Sequence, residues 1–297
     1  ISNAGNLLWF AQQVNSGKTG INAVLTANIV VNTNVLNADG TLNTDLTNPI
    51  KWTPIGNSYS NRYTGTFDGN NHTISGLYFN NENINYVGLF GYNYSGTIKN
   101  VGIIDSYFKG RQWVGGVCGY NINGTITNSY NTGSVSGSSS FIGGVCGDNY
   151  SKIENSYNTG SVSGLKDYVG GVCGYNSSNS TIENSYNTGS VSGSSSFIGG
   201  VCGYNSSNST IENSYYNNSV YNGKDVGSNY GTVTEVNGKT TEQFESGEVA
   251  YLLGGIWGQE IGKDKLPVLN SENKVYQVTV YSSIGNETIS EIYTNKS

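Results

Sequence analysis

Between Tyr86 and Tyr216 the apolar residues come in short β-favouring bursts, punctuated by Gly, Asn and Ser, and none recurs at the 3.6-residue interval of a helix. The bursts themselves recur. Val-Cys-Gly stands at Cys118, Cys146, Cys173 and Cys202, spaced 28, 27 and 29 residues apart. Each unit has three parts. An aromatic, a β-branched residue and Gly-Gly-Val-Cys-Gly come first, as in Phe141 to Gly147; Thr-Ile-x-Asn-Ser-Tyr follows, as in Thr181 to Tyr186; Asn-Thr-Gly-Ser-Val-Ser-Gly closes, as in Asn187 to Gly193. Residues 131–147 and 187–203 are identical. A unit of this length cannot bury a core alone and must stack on its neighbours.

Short strands at a fixed period predict an all-β fold, a parallel β-helix with one coil of about 28 residues per repeat. Neighbouring coils would lie about 4.8 Å apart. A less regular coil, Tyr86 to Asn100, has Phe90 where later coils have Cys, and Gly65 to Tyr78 leads into it. Like residues then sit above one another. Asn100, Asn128, Asn155, Asn184 and Asn213 are expected to form an amide ladder, and Tyr130, Tyr157, Tyr186 and Tyr215 an aromatic one. Both are read as structural.

Both ends carry capping patterns, which a solenoid needs to cover its exposed edges. Ser2 is placed as the N-cap of a helix with the apolar face Leu7, Phe10, Ala11 and Val14, stopped by Asn15-Ser-Gly17. Ala23 to Val31 reads as extended, Asn32 to Pro49 as loop, and Trp52 to Gly56 as the approach to the first coil. Thr240-Thr-Glu-Gln243 has capping-box spacing for one C-terminal helix, with Phe244, Val249, Leu252 and Leu253 buried and Gly254-Gly255 ending it. Trp257-Gly and Leu266 to Leu269 are expected to close over the last coil, and Val275 to Tyr281 alternates as a strand. The domains expected are a cap at 1–64, the β-helix at 65–233 and a C-terminal cap at 234–297.

The repeat residues resemble those of a known family. Gly170 to Asn176 followed by Thr181 to Gly193, the lead-in Phe67 to Tyr78, and the segments Leu8 to Ala11, Trp52 to Gly56 and Glu245 to Tyr251 are together similar to the GLUG-motif family of bacterial surface proteins. Cys stands where the motif more often has an aliphatic residue. The resemblance implies a right-handed parallel β-helix in large secreted or wall-attached proteins, often adhesins. Some immunoglobulin-A-cleaving zinc peptidases carry such repeats outside their catalytic domain. It brings no catalytic residues with it.

Composition narrows the function. Only 11% of residues are charged, Arg occurs at Arg62 and Arg111 alone, and a net charge of −6 without a basic patch argues against nucleic acid. No apolar run of 18 residues is present to span a membrane. With no methionine and no signal peptide, the chain is expected to be part of a longer secreted or cell-surface protein. The cysteines are expected to be free thiols, because parallel Cβ vectors about 4.8 Å apart exceed the separation an unstrained disulfide takes. A straight ladder also cannot surround a zinc ion.

No catalytic constellation emerges, and neither an enzyme nor a cofactor is expected. His72 is the only histidine, so an HExxH site cannot exist in this chain, and His72 is placed in an exposed turn. Glu154, Glu183 and Glu212 share one repeat position and read as a solvated acidic stripe, with a weak cation site as the alternative. Asp39, Asn43 and Asp45 lack the order of a calcium loop. Tyr86, Trp113, Phe141, Tyr168 and Phe197 are the candidate binding residues. Alternation opposes each to the next residue without saying which faces inward; the burial preference of Phe and Trp favours the core, and an outward stripe would suit sugar faces or a protein partner. The readings are an adhesin or ligand-presenting module, a passive stalk and, third, a carbohydrate-active enzyme. The partners expected are host or microbial glycans or surface proteins, with the chain itself a monomer.

Overall fold

The computed structural model describes residues 1–269 together with 272, 275, 280–281 and 288–290. Its body is a parallel β-solenoid of about six turns. Each coil contributes strands to a continuous long sheet and to two shorter ones. One short sheet stacks Tyr78–Asn80, Tyr107–Gly110, Ser134–Gly137, Val162–Gly164 and Val191–Gly193; the other stacks Val114–Gly115, Ile142–Gly143, Val169–Gly170 and Ile198–Gly199. In the long sheet Phe90, Cys118, Cys146, Cys173, Cys202 and Val226 pair in strict succession.

The core is a stack of like residues. Val117, Val145, Val172 and Val201 lie fully buried, as do Ile98, Ile126, Ile153, Ile182 and Ile211. Each buried aliphatic side chain stabilises the fold by about 1.5–3 kcal/mol. Coil-to-coil approach is close enough to demand glycine: a Cβ at Gly143 would lie 2.7 Å from the Gly174 nitrogen and 2.8 Å from the Cys173 Cα of the next coil.

Helix α1 (Ala4–Asn15) closes the N-terminal end. Its buried face is Leu7, Phe10, Ala11 and Val14, with the Phe10 ring 6.0 Å from Tyr63 and 5.8 Å from Phe67. The N-cap is Asn3 rather than Ser2: the Asn3 side chain accepts from the Asn6 N–H at 2.9 Å, while the Ser2 hydroxyl turns to the Asn6 side chain. Residues 51–63 already pair with the coils, through Lys51–Tyr78, Ile55–Phe90 and Tyr63–Asn93 bridges.

The C-terminal cap departs from expectation twice. Its helix is broken in two, α2 (Thr241–Glu245) and α3 (Glu248–Leu253), because Gly247 adopts a positive φ of 88° between them. The capping box of Thr240 and Gln243 does form. The segment also lies against the flank of the solenoid rather than only over its end. Phe244, Val249, Leu253 and Trp257 build a second small core on Tyr186 and Tyr215, and the Tyr186 hydroxyl donates to the Pro267 carbonyl at 2.7 Å. Within the strand expected at 275–281, positions 276–279 lie outside the described residues.

Candidate functional site

The aromatic preceding each Val-Gly strand sits at a corner of the coil. Tyr86, Trp113, Phe141 and Tyr168 have φ of 61°, 54°, 67° and 65°. This left-handed conformation suits Gly or Asn and costs a bulky residue about 1–2 kcal/mol. It reverses the chain, so that the following Val87, Val114, Ile142 and Val169 point inward and are fully buried while the rings stay half-exposed. The core placement favoured by residue type is therefore corrected: the aromatics face outward, because the corner and not side-chain preference sets their direction. Their rings stack along the axis. Tyr86 lies 4.8 Å from Trp113, Trp113 5.8 Å from Phe141, Phe141 5.1 Å from Tyr168 and Tyr168 5.3 Å from Phe197.

A second aromatic column, which sequence reasoning missed, runs beside the first. Tyr92, Tyr120, Tyr175 and Tyr204 stand two residues after the Phe90 or Cys position of their coils. Their recurrence after Cys-Gly was the available signal. The columns interdigitate, with Tyr86–Tyr92 at 5.4 Å, Trp113–Tyr120 at 5.5 Å and Tyr168–Tyr175 at 5.0 Å. Tyr59 joins at one end against Tyr92, Tyr230 at the other against Tyr204, and Tyr150 flanks Tyr120. Tyr59 and Tyr230 are each 66% exposed. The result is an unbroken band of aromatic rings along the length of the solenoid. Burial raises the Tyr92 hydroxyl to about 12 and that of Tyr120 further, so these two stay neutral.

One coil breaks the tyrosine column. Asp148 pairs in register with Tyr120 on one side and Tyr175 on the other. It is buried, accepting from the Ser177 hydroxyl at 2.9 Å and the Trp113 indole N–H at 3.3 Å. Burial pushes its carboxyl up to about 7.

The remaining candidates are placed as follows. Cys118, Cys146, Cys173 and Cys202 are buried and free, each thiol 3.3–3.4 Å from the carbonyl two residues on. Burial raises the Cys146, Cys173 and Cys202 thiols well above their ordinary range. Tyr130, Tyr157 and Tyr186 stack at 4.6 and 4.8 Å, whereas the Tyr215 hydroxyl turns to Asn213. In the corner asparagines, Asn128 donates to Asn100 and Asn213 to Asn184, at 3.0 and 2.8 Å; Asn155 shares the positive φ of this column, and its backbone N–H donates to the Glu183 carbonyl. The continuous amide ladder is a different and buried one. The buried Asn93, Asn121, Asn149, Asn176 and Asn205 and, at the exposed end, Asn229 are linked Nδ2 to Oδ1 at 2.8–3.0 Å. Glu154, Glu183 and Glu212 stack in register, and Lys152 bridges the first two. His72 approaches Asn28, and the Asp39 carboxylate is held by Thr41. Among the described residues no cluster of His, Cys, Asp and Glu suits a metal ion, and no helix is long and apolar enough to cross a membrane.

The GLUG motif profile matches residues 112–136 and 167–192, so the chain carries this motif in two of its coils. Both segments include a corner aromatic, Trp113 or Tyr168. A solved structure from Bacteroides ovatus, described as a candidate immunoglobulin A1 protease, shares the fold: the TM-score is 0.56 over 91% of each chain, at 20% identity. No curated protein matches this chain.

Proposed function

We propose that this chain is a non-catalytic β-helical module of a secreted or cell-surface bacterial protein, and that its aromatic band binds glycans. One observation carries the reading. Four successive corners hold a bulky aromatic in the left-handed region, although the neighbouring corner of the same coils uses asparagine at Asn100, Asn128, Asn155, Asn184 and Asn213. Strain of this kind persists where the side chain serves something other than the backbone. Because the rings stack face to face along the axis, they present a half-exposed apolar band of ring edges on which the apolar faces of sugars can pack, and they lose little rotamer entropy on binding.

The non-catalytic part rests on what surrounds the acids. Both oxygens of Asp148 are engaged inside the wall, and its hydrogen-bond partners are a tryptophan and a serine rather than a second acid or base. The stacked glutamates keep their repeat position and are partly neutralised by Lys152. Glycan-array binding tests the proposal. Wild type should be retained by a defined set of glycans, and Trp113→Ala with Tyr168→Ala should abolish retention while the fold stays intact by circular dichroism. Failure to bind any glycan would leave the module as a passive stalk, and binding indifferent to both substitutions would place recognition outside the aromatic band.

A further inference from the structure

At its N-terminal end the aromatic band holds a cation. The Arg62 guanidinium lies 4.6 Å from the Tyr59 ring centroid and 4.6 Å from that of Tyr94. Tyr59 in turn meets Tyr92, the first ring of the inner column. The guanidinium is tethered at one nitrogen only, Nη1 donating to the Tyr59 carbonyl at 2.8 Å. Its Nε is shielded from solvent and has no acceptor. Among the described residues every ion pair uses a lysine (Lys99, Lys109, Lys152, Lys239 or Lys263), and Arg62 enters none.

Such an arrangement is incomplete by itself. The guanidinium charge has no acid partner among the described residues, and the two ring contacts offset only part of the cost of the unpaired Nε. Aromatic contact fixes the guanidinium plane, which removes much of the entropy a free arginine would lose on binding. Nη2 has no acceptor among the described residues and is not shielded, so with the second N–H of Nη1 it leaves the end of the fork free to meet the two oxygens of a carboxylate.

We propose that the band recognises a glycan ending in a carboxylated sugar, such as a sialic or uronic acid, whose carboxylate lies on Arg62 while the following sugars lie along the band past Tyr59, Tyr86 and Trp113. This rests on the glycan-binding reading and adds a polarity and a ligand class to it. Arg62 is at one end of the band, so it reads a terminal residue. A net charge of −6 disfavours a long polyanion and leaves a single terminal acid as the better ligand.

The test compares matched pairs by calorimetry: sialyl-lactose against lactose, and a glucuronate-terminated oligosaccharide against its glucose-terminated counterpart. At least one acidic member should bind wild type about tenfold or more tightly than its neutral partner, as charge-assisted hydrogen bonds imply. Arg62→Gln should bring the pair to within about twofold while leaving the affinity for the neutral member intact, which also reports an undamaged band; Arg62→Lys, lacking the planar fork, should fall between. Equal binding of both members of each pair, or an acidic preference that survives Arg62→Gln, overturns the assignment while the glycan reading stands. Absence of binding to any glycan overturns both.

Discussion

The indole N–H of Trp113 points at Oδ2 of Asp148, 3.3 Å away and one coil further along the axis. The bond ties the tryptophan of the outer column to the break in the inner one. Trp113 stacks within 5° of the Tyr86 plane and 10° of the Phe141 plane, so its orientation matters to three rings together.

A pH dependence follows. The Asp148 carboxyl is pushed up to about 7 by burial, against the pull of its two hydrogen bonds, whereas an unfolded chain releases that proton near pH 3.9. Between these values the folded protein binds a proton that the unfolded chain has lost. Stability therefore falls as pH rises from about 4 to about 7, by at most about 1.4 kcal/mol per unit, and levels off above. The groups facing Asp148 do not blur this window, since burial raises Tyr120, Tyr175, Cys146 and Cys173. Asp68, lowered against the sense of its burial by hydrogen bonds from Asn100 and Asn70 and by Lys99, acts in the opposite sense and only at more acid pH. Urea midpoints across pH 4.5–8 should show this slope in wild type and lose it in Asp148→Asn. Tryptophan fluorescence should titrate near pH 7 in wild type alone.

The buried amide ladder should be the most sensitive polar element. Asn149 accepts from Asn121 at 2.9 Å and donates to Asn176 at 3.0 Å. Asn149→Ala would leave two donors of the wall without their acceptor, the Asn121 side-chain N–H and the Ser151 backbone N–H, at about 1–3 kcal/mol each, while Asn176 Oδ1 keeps the Ser180 hydroxyl. Denaturant unfolding should show a loss of about 2–5 kcal/mol. Asn155→Ala, at the corner, should cost much less, because there the loss is mainly that of an amide tolerant of the left-handed backbone.

Much of this architecture was legible because the repeats are nearly identical. In a parallel in-register stack, position in the repeat is position in space. Cys118 to Cys202, Ile126 to Ile211 and Glu154 to Glu212 align from the repeat alone. What alternation could not supply was an absolute direction. It opposed Trp113 to Val114 but left the corner unseen, and the corner is what turns Trp113 outward. The Asn93–Asn229 ladder was hidden for a different reason: asparagine reads as surface, and its burial is tolerable only when every neighbour in the stack is also an amide. Asp148 is legible in the sequence as the one departure from Cys-Gly-Tyr-Asn among the four cysteine coils. Arg62 lies outside the repeats, where no register argument reaches.

The thiols should be inert in the folded protein. The four cysteines are buried and unpaired by disulfide. Burial further disfavours the thiolate, the reactive form, at Cys146, Cys173 and Cys202. A thiol reagent at pH 8 should label none within minutes under native conditions and four after unfolding without reductant. Recovery of two or fewer would mean that disulfides form. Cys146→Val should be tolerated to within about 1.5 kcal/mol, as a small apolar exchange in a stack whose neighbours at this level are also apolar.

The corner aromatics allow backbone and ring to be separated. If Phe141 is held at a φ of 67° for the sake of its ring, removing the ring while keeping the strain differs from removing both. Phe141→Ala retains a Cβ in the left-handed region, whereas Phe141→Gly has none, so the glycine variant should be the more stable of the two by about 1–2 kcal/mol. In an ordinary extended strand the order would reverse. Both variants lose the ring between Trp113 and Tyr168, and both should weaken glycan binding to the same extent despite their different stabilities. Paired unfolding and binding curves read the two effects apart. Equal stabilities would deny the strained corner, and unchanged binding in both would remove Phe141 from the recognition surface.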